Sequence, residues 1–522
     1  MYKYPTPSTR PGTSTRRHAK ARINISPSVR RLLAARKMTA QNGHGDLARK
    51  PVVVIYAPPG MAGHLVPTVE LGKLLLAQGL QVTVLLGGGD TSFLDGVAAA
   101  NLEISFHCLP PAALAPDVAA ACSSSFEARV FELARASNPD LRDFLRSARP
   151  AALLIDFFCS AALDVGAELG VPTYFFLTTC VASVALCLYQ PVIHEGTTLS
   201  FREMGGDPVR APGLPPIPAD HLAAAVMDRE SLSNRHFLEL SQRICDSRGV
   251  LVNSCRSLEP RAADAIVSGL CTPPGLPTPP VYCIGPLIKP DEETGTTKRH
   301  ECLAWLDGQP EASVVFLCFG SMGRFSAEQV KEMASGLEAS GQRFLWVVRR
   351  PPPPGAERRP PADGDDDGLD LDALFPEGFL KRTKDRGLVV TSWAPQRQVL
   401  AHVAVGGFVT HCGWNSVLEA VAAGVPMLAW PLYAEQRMNR VFLVEEMRLA
   451  VPMEGYDKKM VESSEVAAKV RWLIESDGGR ELRQRTRAAM RLAEEALGDD
   501  GESRAALADL TSQWKKSAAA ES

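Results

Sequence analysis

Between Trp393 and Gln436 the chain reads WAPQRQVLAHVAVGGFVTHCGWNSVLEAVAAGVPMLAWPLYAEQ. Within this one segment lie an aromatic ring, a strand-to-helix turn, a helix-face carboxylate and a closing Glu-Gln pair. Trp393 offers a flat face to a base. The apolar run GGFVTH ends in the turn His411-Cys412-Gly413-Trp414-Asn415-Ser416, and a helix, VLEAVAAG, follows at once. Such a turn points unpaired backbone N–H groups and the positive end of the helix dipole at an anion. His411, Asn415 and Ser416 add side-chain donors, so a diphosphate is the natural guest and neither metal nor cofactor is required. Glu419, three residues beyond Ser416, faces the same side of the helix and can accept from two vicinal hydroxyls such as those of a ribose. Glu435 and Gln436 offer a carboxylate and an amide to a second set of hydroxyls. Base, diphosphate, ribose and hexose are thus all provided for, which is the chemistry of a nucleotide sugar. Taken singly, each residue has a plainer reading: a core Trp, a satisfied buried His, a solvated Glu. It is their joint spacing that points to a site.

A second constellation lies upstream. The segment PVVVIYAPPGMAGHLVPTVELGKLLLAQG carries an apolar run, a turn through Pro58-Pro59-Gly60 and a helix from about Val66, the opening of a βαβ unit. His64 falls at that turn, where open α/β sheets place reactive groups. Asp156 ends another apolar run, PAALLID. If both strand ends share one rim, Asp156 accepts from one His64 nitrogen and fixes the tautomer, leaving the other nitrogen to take a proton from an acceptor hydroxyl. Alone, either residue at a strand end is more often structural than catalytic.

The segment from Trp393 to Gln436 resembles, over its full length, the donor-binding box of plant family 1 UDP-glycosyltransferases. The resemblance implies that Trp393 stacks on uracil, with the backbone of Ala394 at the uracil edge and Gln396 near the ribose. It gives His411, Asn415 and Ser416 to the diphosphate, Glu419 to the ribose, and Trp414, Glu435 and Gln436 to the sugar. A closing Gln goes with glucose donors in that family, whereas galactose users often carry His. UDP-galactose is therefore the alternative donor, and the absence of Arg or Lys at 414 argues against glucuronate. The contexts Gly63-His64-Leu65-Val66-Pro67 and Ile155-Asp156-Phe157 look like the family's catalytic His and Asp sites. SRGVLVNSCRSLE and VYCIGPL resemble its last N-domain strands, and Ser321, after the run VVFLCFG, resembles a diphosphate contact as well as a helix N-cap. The implied fold is α/β, the GT-B fold of two Rossmann-like doubly wound domains facing a cleft. The implied reaction is transfer of a hexose, with inversion, from a UDP-sugar to a plant small molecule such as a flavonoid, anthocyanidin or other phenolic. Met61, Phe157, Phe158 and Thr178 are candidate acceptor-pocket walls.

These groups must be positioned by a chain of 522 residues, long enough for two α/β halves. The expected division is a basic leader over 1–48, an acceptor-binding domain over 49–288, a polar linker over 289–301 and a UDP-sugar-binding domain over 302–522. Residues 349–372, rich in Pro, Gly and charge, read as an exposed loop without function of its own. Twelve cysteines without CxxC spacing suit a reducing compartment. The most apolar long run, LTTCVASVALCLYQPVI, is too interrupted to cross a bilayer. The first 37 residues carry ten Lys or Arg and no Asp or Glu, a composition that suits an organelle transit peptide. The preferred reading is an upstream start with Met38 as the working initiator and a cytoplasmic enzyme; plastid targeting is the alternative. A basic arm without a docking motif does not indicate nucleic-acid binding. A monomer acting on a UDP-sugar and a small phenolic is expected. Two other classes stay open: a non-catalytic binder of nucleotide sugars or phenolics, against which the presence of both His64 and Asp156 counts, and a GT-B epimerase or hydrolase of UDP-sugars, which would form sugar products without a phenolic acceptor.

Overall fold

The computed structural model describes residues 50–58, 61–88, 94–289, 299–353, 368–391 and 393–520. The basic leader, most of the expected linker and the centre of the 349–372 loop lie outside the described residues, as do Pro59 and Gly60.

Two parallel sheets organise the chain. The first contains β1 (Val52–Ala57), β2 (Gln81–Leu86), β3 (Ser105–Cys108), β4 (Ala152–Ile155), β5 (Thr173–Leu177), β8 (Val250–Val252) and β9 (Val281–Cys283), in the order β3-β2-β1-β4-β5-β8-β9. Between β5 and β8, β6 (Pro208–Val209) and β7 (Ile217–Pro218) form a small antiparallel pair. The second sheet contains β10 (Val314–Cys318), β11 (Arg343–Val348), β12 (Gly387–Thr391), β13 (Val405–Thr410), β14 (Met427–Ala429) and β15 (Ala450–Pro452), in the order β12-β11-β10-β13-β14-β15. Strands such as VVVIYA and VVFLC have continuous apolar runs because helices cover both faces: successive residues Val53, Val54 and Ile55 are all buried, as are Val314 to Leu317.

In each sheet the strand order reverses once, between β1 and β4 and between β10 and β13. Beyond the carboxyl ends of such strands open α/β sheets form their binding crevice. The registers fix what meets there. Tyr56 pairs with Ile155, so the chain leaving β1 toward His64 emerges beside the chain leaving β4 at Asp156. Cys318 pairs with Thr410, so Gly320 and Ser321 emerge beside His411.

The chain's end departs from the expected division. Helix Glu502–Ala520 does not stay with the second sheet: Leu507, Leu510 and Trp514 are buried in a core shared with β1, β2 and β8. Trp514 packs edge-on against Tyr174 at 5.5 Å, and Ser503 Oγ donates to Gly285 O at 2.7 Å. The amphipathic pattern of this helix reveals an apolar face but not which lobe receives it.

Candidate active site

On the first sheet, helix Ala62–Ala77 begins where the chain turns after β1. Met61 O accepts the N–H groups of His64 and Leu65, and Thr68 Oγ1 donates to His64 O at 2.9 Å, so the His64 backbone is fixed at both ends. Its Nδ1 lies 2.6 Å from Asp156 Oδ2. The other carboxylate oxygen, Oδ1, accepts from Phe158 N at 2.9 Å, capping the short turn Phe157–Cys159, and Asp156 is 4% exposed. One oxygen is thus held by backbone and the other is aimed at the imidazole. With Nδ1–H donated to Asp156, Nε2 carries the lone pair of a general base. Burial alone would lower the His64 pKa, but the charge and hydrogen bond of Asp156, helped by the Glu435 carboxylate, outweigh it and hold the value above the ordinary one.

Aromatic rings flank the base. Phe157 and Phe158 lie 5.5 and 5.7 Å from the imidazole, and Phe131 and Phe237 extend the cluster. Met61 is half-buried against the core. Thr178 is half-buried just beyond β5, and its neighbour Thr179 has a buried Oγ1 without a hydrogen-bond partner. The sequence pattern marks neither Phe131 nor Phe237, since each sits on a helix whose apolar residues could equally be core.

The second sheet builds its site mostly from backbone. Helix Trp414–Ala422 starts at Gly413, and no side chain caps its first N–H groups. They are left for a ligand. Cys412, at φ +66°, adopts the left-handed region that non-glycine residues rarely occupy. Its N–H donates to Thr410 Oγ1 at 3.2 Å and its carbonyl accepts from Asn439 Nδ2 at 2.9 Å. The His411 ring, 6% exposed, is clasped between Gly320 and Gly413; a Cβ added at either would stand 2.7 or 2.4 Å from Nε2. Burial draws the His411 pKa down to about 4, so the imidazole is neutral at physiological pH and offers a hydrogen bond rather than a charge. Its Nδ1 is buried without a partner. Ser321 is exposed in the turn after Gly320.

Around this turn, Gln396 Nε2 donates to Ser416 Oγ at 2.9 Å and to Glu419 Oε2 at 2.7 Å, joining three box residues in one network. Trp393 is 63% exposed, a free platform with the edge of His300 at 5.7 Å, while the neighbouring Ala394 is buried. Glu435 is half-buried; burial raises its pKa and the His64 charge partly offsets the effect. Two residues differ from the reading of their side chains as sugar contacts. Trp414 is 3% exposed and donates Nε1–H to Asn253 O of the other lobe at 2.7 Å, which makes its indole a strut between lobes. Gln436 is 2% exposed and its Oε1 accepts from Leu432 N and Tyr433 N, both at 2.9 Å. A further interlobe bond runs from Asn415 Nδ2 to Gly63 O at 2.9 Å, setting the anion turn directly against the turn that carries His64. Among the described residues no cluster of His, Cys, Asp or Glu could hold a metal ion, and no helix is long and apolar enough to cross a membrane.

Two doubly wound sheets meeting across such a cleft are the GT-B arrangement, and solved plant glycosyltransferases share it. The structure of Phytolacca americana UGT2 complexed with UDP-2fluoro-glucose and pterostilbene superposes with a TM-score of 0.76 at 34% identity, covering 89% of this chain and 99% of that one. A sequence model of the UDP-glucoronosyl and UDP-glucosyl transferase family matches residues 290–477. The chain is 44% identical to a phloretin 2'-O-glucosyltransferase of Malus domestica and 42% identical to an anthocyanidin 5,3-O-glucosyltransferase of a Rosa hybrid cultivar. These alignments span 88% and 89% of this chain and 99% of each relative. The chain belongs to the UDP-glucoronosyl and UDP-glucosyl transferase family, and it is a UDP-glycosyltransferase.

Proposed function

We propose that this enzyme transfers glucose from UDP-glucose to a hydroxyl of a flavonoid or related phenolic, with inversion at the anomeric carbon. His64 Nε2 takes the proton of the acceptor hydroxyl as its oxygen bonds to the anomeric carbon, and the bond from that carbon to the UDP oxygen breaks on the opposite face. Asp156 stabilises the imidazolium that forms. The uncapped helix start at Trp414–Ser416, with His411, Asn415 and Ser321, takes the charge of the departing diphosphate. Trp393 and the Ala394 backbone take uracil; Gln396 and Glu419 take the ribose; Glu435, the Gln436 amide and the Trp414 backbone take the sugar. Met61, Phe157, Phe158 and Thr178 wall the acceptor, and the mechanism uses no cofactor, UDP-sugar being a co-substrate.

The observation that supports the reading is the Asn415–Gly63 hydrogen bond, which joins the turn proposed for the diphosphate to the turn that carries His64, as displacement across a single anomeric carbon would require. The glucose donor and phenolic acceptor are supported by the names of the relatives, all three of which concern glucose or phenolic chemistry. One chain supplies both the base and the donor turn, which supports action as a monomer, and its twelve free cysteines support a reducing compartment such as the cytosol. Incubation with UDP-glucose and a phenolic panel that includes phloretin, followed by mass spectrometry, tests the reading. A phenolic glucoside and an equivalent of UDP are expected. Free glucose or an epimerised UDP-sugar in place of the glucoside would refute it.

A further inference from the structure

Helix Gln436–Val441 carries a residue that the sequence pattern does not mark. Asn439 has no exposed surface, and its carboxamide meets three groups from three parts of the site. Nδ2 donates to Cys412 O at 2.9 Å and lies 3.4 Å from Glu435 Oε1. Oδ1 faces the thiol of Cys180, at 3.8 Å, from the other lobe. Cys180 caps helix Val181–Gly196, whose first two N–H groups are held by the buried Glu259 carboxylate at 3.0 and 2.9 Å. The thiol is therefore a fixed point and not a mobile surface group.

We propose that Asn439 is a positioning residue for the transfer reaction, holding the diphosphate turn and the Glu435 carboxylate in the geometry that receives the donor. Cys412 needs such a hold because its left-handed backbone is disfavoured for a residue with a Cβ. Its conformation matters because it turns the Cys412 carbonyl inward onto the Asn439 amide. The opposite peptide orientation would direct a carbonyl oxygen toward the anion, where it would oppose the helix-start N–H groups. An amide suits the task because its two N–H groups can serve both the carbonyl and the carboxylate while its oxygen takes the thiol. A carboxylate in its place has no hydrogen to donate and adds charge beside Glu435.

This inference rests on the assignment of the 411–416 turn to the diphosphate, so the test reads UDP binding directly. UDP is titrated calorimetrically into the wild-type enzyme, Asn439→Asp, and the double variant Asn439→Asp with Cys412→Gly, with thermal melting as a check on folding. The single variant is expected to bind UDP about tenfold or more weakly. Glycine at 412 reaches positive φ unaided and is expected to recover about threefold or more of that loss, which a general loss of packing would not allow. If Asn439→Asp does not fold, Asn439→Ser, alone and with Cys412→Gly, gives the same comparison. A single variant that binds UDP within about twofold of wild type overturns the proposal, and so does a loss that Cys412→Gly leaves unimproved. A wild-type enzyme that fails to bind UDP would instead remove the assignment of the turn itself.

Discussion

The two crevices of this enzyme occupy equivalent places, each where strand order reverses in its sheet, yet they are made of different material. At the β1/β4 crevice the groups proposed to work are two side chains, His64 and Asp156, 92 residues apart and joined by one hydrogen bond. At the β10/β13 crevice the groups proposed to work are mainly peptide N–H groups with the His411 imidazole beside them, and Asn439 bonds the Cys412 carbonyl of the turn that presents them. Base catalysis needs a titratable group at one point, whereas holding a diphosphate needs several donors spread over an anion, which a helix start supplies without changing charge. The first crevice should therefore be destroyed by deleting a functional group, and the second by adding a carbon to a glycine.

The largest effect is expected from His64→Ala, which removes the base: kcat should fall on the order of a thousandfold, with the UDP dissociation constant changed by less than about twofold. Steady-state kinetics and calorimetry on one preparation check both halves. Gly320→Ala comes next, since its Cβ would press on His411 Nε2 at 2.7 Å while its φ is +74°. Weakening of UDP binding by roughly tenfold to a hundredfold is expected from the displaced ring and strained turn. Wild-type affinity in this variant would show that the glycine clasp on His411 has no part in donor binding.

Asp156→Asn separates charge from shape. His64 must be neutral to act, so wild-type kcat/KM should be lost as pH falls through the raised His64 pKa, and the acid limb should lie above the ordinary histidine value. Without the Asp156 charge that pKa falls, so the limb moves to lower pH even as the neutral-pH rate drops about tenfold or more. The same raised pKa stabilises the folded protein below pH about 6.5, and this contribution fades as pH rises through the folded value. An acid limb unmoved by the substitution would separate Asp156 from the titration of the base. The smallest effect is expected from Trp414→Phe, which leaves the Asn253 carbonyl without its 2.7 Å donor. It should cost about 1 kcal/mol of stability in a denaturant titration while UDP-glucose binding changes less than about twofold. A large loss of donor affinity would instead return the indole to the sugar subsite.

The contrast also explains what could be read from the sequence. The donor crevice is nearly contiguous from Trp393 to Gln436, so its ring, turn and carboxylates stand in the chain in working order. The placing of His64 and Asp156 after two strands follows from two apolar runs, while it is the β1–β4 register of the structure that makes those strands neighbours. What the sequence does not carry is contact between distant elements. The Trp414 indole reaches Asn253, Phe131 and Phe237 join Phe157, and the last helix returns to the first lobe, none of which has a local pattern to mark it. Asn439 had a faint signal, lying four residues after Glu435 on one helix face, but a buried Asn there reads as readily as a packing residue.

The most direct test of the account is the anomeric configuration of the product, read from the anomeric proton coupling by NMR after reaction of UDP-α-D-glucose with phloretin or the best acceptor of the panel. A base on one lobe facing a leaving-group site on the other predicts a β-glucoside, formed by wild-type enzyme and on the order of a thousandfold more slowly by His64→Ala. An α-glucoside, or a β-glucoside formed at the wild-type rate without His64, would contradict it.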